Sequence, residues 1–313
     1  MDRTEEGGAS AAAQPLIIFD GGTGREIQRQ GGPFRQPEWS ALALYEDPAI
    51  VQEIHESYIE AGAKAITTNT YAIVPYHLGQ ERYQRDVERL LKLAVDLAVQ
   101  AKGDREDVLI LGSIPPICGS YEPGSFDEAI AGPILKDFLD AFRGSKVDVL
   151  LLETVGSIRE AEYYLKEIQR AALGLPVWLS FCIESDTGFE KPPHLLTGDT
   201  LTKAVQSLSN KMLLRPEDVP VVLVNCCDMR LVEDSICELC AALVDTDIRV
   251  GAYPNAFSIP PPNAANHTLR PVDFNITPEV MRKNVVRWIN AGATVFGGCC
   301  GVEPDHIRAF SAL

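Results

Sequence analysis

Histidine, basic clusters and long apolar runs are all scarce in this 313-residue chain. The five histidines are scattered, with no H-E-x-x-H and no paired spacing, so a histidine-based metal centre is not expected. Lys and Arg number 28 against 44 Asp and Glu, a formal net charge of −16, and they form no cluster. Phosphate backbones are bound through such clusters, which argues against nucleic-acid binding. The longest apolar runs, such as residues 147–152, fall far short of the roughly 20 residues that span a bilayer, so no membrane association is expected. The glycines after Asp20 lack the G-x-G-x-x-G and P-loop patterns, and Asp20 itself would repel a phosphate. The N-terminus has no basic stretch leading into an apolar one, so the expected compartment is the cytoplasm. Internal repeats and linkers are absent.

Cysteine, by contrast, is well supplied. Eight residues in a chain of this length, without a secretory signal, point to reduced thiols rather than a disulfide framework. The acidic balance is compatible with a cationic small molecule. Residues 1–14, rich in Gly, Ala, Ser and Glu, are expected to be disordered, and residues 15–313 to form one domain.

That domain alternates short apolar runs with amphipathic helical patterns. The runs lie at residues 16–19, 65–68, 108–111, 147–152, 177–181, 221–224, 249–252 and 294–296. Between them, Ile50, Val51, Ile54, Tyr58 and Ile59 mark one face of a helix that begins at Pro48 and ends at Gly62. A second helix covers residues 80–102. Ser157 and Glu160 have capping-box spacing and open a helix that reaches about Leu173. The Pro- and Asn-rich stretch 258–275 reads as a loop after the seventh run. Eight strand–helix units predict an α/β fold, a (β/α)8 TIM barrel, with an open doubly wound sheet as the structural alternative.

Asp20, Asn69, Ser113, Glu153, Cys226, Asn255 and Cys299 each stand at the C-terminal end of an apolar run. In a barrel all these ends meet on one face, where active sites lie. Cys226 can then face the adjacent pair Cys299 and Cys300. Three thiolates make a soft donor set that suits zinc, at Zn–S distances of about 2.3 Å, and leave one of its usual four positions open. A thiol entering that position would lose its proton and become a nucleophile. Cys227, the next residue on an extended strand, points elsewhere and reads as structural. Cys237 and Cys240 sit in a helical pattern and read as packing on a helix face, while Cys118 and Cys182 read as plain thiols.

These residues resemble the zinc-dependent homocysteine S-methyltransferases. The matching motifs are Asp20-Gly21-Gly22, Asn69-Thr70-Tyr71, Glu153-Thr154, Asn225-Cys226, Tyr253-Pro254-Asn255 and Gly297-Gly298-Cys299-Cys300, and the likeness runs from Leu16 to the end. The resemblance implies a (β/α)8 barrel in which Cys226, Cys299 and Cys300 bind Zn2+ and the sulfur of homocysteine joins them. It places Asp20 and Glu153 on the substrate's amino group, and Gly21, Gly22, Asn69, Thr70 and Asn255 around the substrate. Backbone N–H groups of the loop after Asp20 would supply donors for the carboxylate.

The implied reaction moves a methyl group from a sulfonium donor, S-methylmethionine or S-adenosylmethionine, to homocysteine. Betaine, or a different thiol or selenol acceptor, remains open, as does a non-catalytic zinc- or thiol-binding barrel. A zinc hydrolase is disfavoured, since no His or carboxylate clusters as its base. Pro115-Pro116 stands where many relatives have Gly-Pro, which removes an N–H and bears on the loop beside the site. No feature of the sequence fixes an oligomeric state.

Overall fold

The computed structural model describes residues 14–184, 192–257, 273 and 275–313. The disordered segment expected at residues 1–14 and the loop expected at 258–275 lie almost wholly outside the described residues.

Eight parallel strands form one sheet: β1 (Ile17–Ile18), β2 (Ala65–Thr67), β3 (Leu109–Ile114), β4 (Val149–Val155), β5 (Val177–Cys182), β6 (Val221–Asn225), β7 (Arg249–Tyr253) and β8 (Val295–Phe296). Each strand pairs with its sequence neighbour, and β1 pairs with β8. The ring closes between β1 and β2 through a parallel bridge from Phe19 to Ala65. Lys64 N donates to Ile18 O at 2.6 Å there, and Asp20 N to Ala65 O at 3.1 Å. This is the barrel that the eight apolar runs predict, and it removes both sheet edges.

Alternation along the strands sorts the side chains. Leu111, Leu151, Leu223 and Val295 point inward with Phe19 and Trp178 and fill the barrel. Their neighbours Ile110, Leu150, Leu152, Val222 and Val224 point outward and pack under the helices. Both faces are buried, which is why the strands read as continuous apolar runs rather than alternating ones. Phe19 and Tyr253 meet edge-on with ring centroids 4.7 Å apart, a geometry that contributes about 0.5–1.5 kcal/mol beyond area burial.

The expected helices form with small shifts. Helix Pro48–Glu60 buries Ile50, Val51, Ile54 and Tyr58, and helix Gln80–Lys102 has the predicted bounds. Helix Ile158–Ala171 ends short of Leu173 because Ala172 turns left-handed at φ 48°. Only half of the capping box forms there. Ser157 accepts from Glu160 N at 3.1 Å, but the Glu160 carboxylate reaches Gly156 N instead of the Ser157 amide. Strand β4 runs on to Val155, so Glu153 stands within it, across a register shift between Leu152 and Val155. No helix among the described residues is long and apolar enough to cross a membrane.

Candidate active site

Alternation that puts Leu111, Leu151 and Leu223 inside the barrel also puts Ser113, Glu153 and Asn225 inside, one pleat nearer the strand ends. The barrel interior therefore changes from apolar to polar at its C-terminal mouth. Glu153 accepts a short hydrogen bond from Ser113 Oγ. Asp20, on the adjoining loop, accepts from Thr67 N at 2.7 Å and from Thr67 Oγ1 at 2.9 Å. Both carboxyl groups are buried, and burial raises each to about 7 against the pull of these hydrogen bonds. Two carboxylates held by neutral donors in a buried wall favour a cationic guest, which would return both to the charged form.

The loops after β1 and β8 lock together. Gly22 N donates to Val302 O at 3.2 Å, Gly298 N to Asp20 O at 2.9 Å, and Cys299 N to Pro254 O at 2.9 Å. A Cβ on Gly22 would lie 2.6 Å from Cys299 O and 2.9 Å from Cys300 Cα, so the approach requires glycine. Tyr58 OH adds a bond to Val302 O at 2.8 Å from the helix side. The cysteine pair is thus held directly against the loop that carries Asp20.

Cys226 Sγ lies 2.6 Å from Cys299 Sγ. Hydrogen bonding among the thiols pushes Cys299 up, chiefly through Cys226 and then Cys300, and pulls Cys300 down with help from the Arg25 charge. Strand β6 ends at Asn225, so Cys227 is not on the extended strand expected for it; it follows Cys226 in a bend and is fully buried in the core under the helices. Cys237 is exposed and Cys240 half-buried on helix Val232–Ala242.

A clamp behind the site joins two of the matching motifs, Glu153-Thr154 and Asn225-Cys226, through side chains. The Asn225 side chain accepts from Ser180 Oγ at 2.7 Å and from Thr154 N at 2.9 Å, and donates to Thr154 Oγ1 at 2.9 Å. Thr154 and Cys226 both take left-handed backbone, at φ 61° and 49°. Such residues cost about 1–2 kcal/mol each when they are not glycine. Asn225 offsets the strain at Thr154, the residue after Glu153, and Cys226 follows it along the chain.

The two carboxyl groups and the three thiols face one cavity of about 150 Å³. Asp20, Gly21, Gly22, Asn69, Glu153, Cys226, Cys299 and Cys300 line it. Thr70 and Asn255 do not. The Thr70 hydroxyl is fully buried, donating to Ser113 O at 2.7 Å and so bracing the polar layer from behind. The Asn255 amide is buried without a side-chain hydrogen bond among the described residues, while its backbone N–H donates to Cys227 O at 3.1 Å. Pro115 and Pro116 lie off the wall; Ser120 and Tyr121, further along the same loop, reach it. Tyr253 also lines it from inside the barrel. Arg25, Trp39, Tyr121 and Phe257 complete the wall from loops and a helix, positions that no strand periodicity marks.

Three thiols in one wall are a donor set suited to a soft or borderline metal. Among the described residues no three His, Cys, Asp or Glu side chains stand at ready-made ligand spacing. The Cys226 and Cys299 sulfurs, 2.6 Å apart, stand closer than the roughly 3.7 Å of two thiolates on one tetrahedral ion with Zn–S distances of about 2.3 Å.

Fold and cavity together define a thiol-lined α/β-barrel built to hold a small charged molecule beside sulfur. The chain belongs to the homocysteine S-methyltransferase family, whose model matches residues 17–313; it is a methyltransferase of that class. Homocysteine S-methyltransferase 1 of Zea mays is 27% identical over 325 residues, covering 97% of this chain and 95% of the relative. A selenocysteine Se-methyltransferase of Brassica oleracea var. italica is 26% identical, covering 93% and 87%. Among solved structures, the metallated homocysteine methyltransferase MmuM of Escherichia coli superposes with a TM-score of 0.74 at 23% identity, over 96% of each chain. That likeness speaks to the barrel.

Proposed function

We propose that this protein transfers a methyl group from a sulfonium donor, S-methylmethionine or S-adenosylmethionine, to the thiol of homocysteine, giving methionine. The observation that carries the reading is the meeting of three thiols and two buried carboxylates in one small cavity. Cys226, Cys299 and Cys300 would hold zinc, which when bound supplies acidity to an incoming thiol so that it is present as thiolate at neutral pH. The family's metallated structure supports the metal; the soft donor set supports its identity.

The chain's own residues do the rest. Asp20 and Glu153 receive the ammonium group of the amino acid, a charge-assisted contact that orients the thiol end toward the cysteines. Thr67 and Ser113 fix those carboxylates. The surrounding aromatic wall restricts water. The acceptor sulfur then forms a bond to the methyl carbon as the donor's carbon–sulfur bond breaks, and the donor leaves as a neutral thioether. A general base is unnecessary once the acceptor is a thiolate.

The test is methionine formation from homocysteine with S-methylmethionine, S-adenosylmethionine and betaine, each with and without a strong zinc chelator. We expect turnover with at least one sulfonium, abolished by the chelator and restored by zinc. Chelator-resistant turnover, or no methyl transfer to homocysteine from any donor, contradicts the reading. Selenocysteine in the same assay measures the second acceptor that the Brassica relative suggests.

A further inference from the structure

In-line transfer puts the donor and acceptor sulfurs on opposite sides of the moving methyl carbon. The groups that take the acceptor, two carboxylates and three thiols, stand at the strand ends. The donor therefore meets the wall beyond those ends, built by the segments that follow β1, β2 and β3. Trp39, Tyr71, His77, Ser120 and Tyr121 line the cavity there. An amino-acid sulfonium brings a second ammonium group to this wall, while the two buried carboxylates already answer the first.

The Ser120 hydroxyl is occupied, held between Tyr71 OH at 2.6 Å and Tyr76 OH at 3.0 Å. His77, on helix Pro75–Leu78, has a nitrogen to spare. Its Nδ1 lies 2.8 Å from Pro37 O. A carbonyl oxygen only accepts, so Nδ1 carries the proton. Burial pushes the imidazole down to about 4 against the pull of that bond, so the ring is neutral at physiological pH and Nε2 keeps its lone pair. Nε2 has no hydrogen-bond partner among the described residues. The Tyr76 and Trp39 rings hold the imidazole between them, with centroids 4.3 and 5.9 Å away. A flipped ring would lose the Pro37 bond, so Nε2 is an acceptor of fixed direction in a wall that the donor must touch.

We propose that His77 is a specificity-determining residue whose Nε2 accepts a hydrogen bond from the α-ammonium group of the methyl donor. The inference rests on the sulfonium reading above and deepens it. The site then selects sulfonium donors that carry a free amino group. It disfavours betaine, whose fully methylated nitrogen has no N–H to give.

The experiment measures methionine formation from saturating homocysteine by the zinc-loaded protein. The donors are S-methylmethionine and S-adenosylmethionine, each paired with its deamino analogue, the same sulfonium without the α-amino group. The proteins are the wild type, His77→Asn and His77→Gln. Asn keeps a donor for Pro37 O and has no acceptor in the place of Nε2; the longer Gln can set its amide oxygen there. The wild type uses the amino-bearing donor with the higher kcat/KM. His77→Asn reduces that preference by about ten- to hundredfold, the span for losing a hydrogen bond to a charged group. His77→Gln retains part of it. An unchanged preference in His77→Asn overturns the assignment. So does an equal loss for donor and analogue, which would make His77 only a support for the loop that carries Pro37 and Trp39. Methionine formed by the wild type from neither sulfonium overturns the donor reading itself, a separate and recognisable outcome.

Discussion

At Asn225 three hydrogen bonds converge on one buried amide, and the left-handed turn at Thr154 depends on two of them. Removing the side chain leaves Thr154 N and Ser180 Oγ without that partner, at about 1–3 kcal/mol. Asn225→Ala is therefore expected to lower unfolding free energy in that range and to reduce bound zinc, because Cys226 follows it at φ 49°. Adding Thr154→Gly should restore part of both losses, since glycine takes φ 61° without a Cβ penalty. Full zinc content in Asn225→Ala would mean that the clamp serves stability alone. Asp20, Glu153, Cys226 and Cys299 were legible in the sequence because each stands at the end of an apolar run, and Cys300 because it adjoins Cys299. Tyr253 belongs to a matching motif, but its edge-on contact with Phe19 inside the barrel follows only from the fold. Thr67 and Ser180 are hidden within their runs because both faces of a parallel strand are buried, so polarity there reveals which face points inward only once the register is known.

The junction from β4 to helix Ile158–Ala171 shows the same economy at the level of an element. The strand shifts register between Leu152 and Val155, and only two residues, Gly156 and Ser157, separate its end from the helix. Glu160 closes the turn by accepting from Gly156 N at 3.0 Å and Tyr164 OH at 3.2 Å. Burial raises this carboxyl from 4.5 to about 7. Below about pH 4.5 it is protonated in both folded and unfolded chains and costs nothing. As pH rises toward 7 only the unfolded chain ionises freely, so stability falls; above 7 the loss is complete, roughly 3 kcal/mol at about 1.4 kcal/mol per pKa unit. Glu160→Gln removes this ionisation. Urea unfolding at pH 5 and pH 8 should show the variant gaining on the wild type as pH rises, by up to about 3 kcal/mol. An equal difference at both values would show that Glu160 does not titrate as its burial implies. The Ser157–Glu160 spacing announced the helix start correctly. Its second bond went to Gly156, because local spacing does not report which neighbouring amide the chain brings within reach.

Across the whole molecule, the barrel was legible from eight apolar runs, and it alone explains how Cys226 meets Cys299 across 73 residues of sequence. The loops that finish the cavity were not legible. Trp39, Tyr121 and Phe257 belong to irregular segments whose placement depends on packing around the barrel mouth, and Arg25 lies on a short helix with no periodic signature. Strand tips thus fix the chemistry, and loops fix the shape of what enters. The account stands on three thiolates gathering one zinc ion and admitting a fourth sulfur. Zinc-edge X-ray absorption of the purified protein, before and after homocysteine, measures this directly. The account predicts about three sulfur neighbours at roughly 2.3 Å, rising to four on addition of homocysteine. A shell dominated by nitrogen and oxygen, or a sulfur count that does not change with homocysteine, would contradict it.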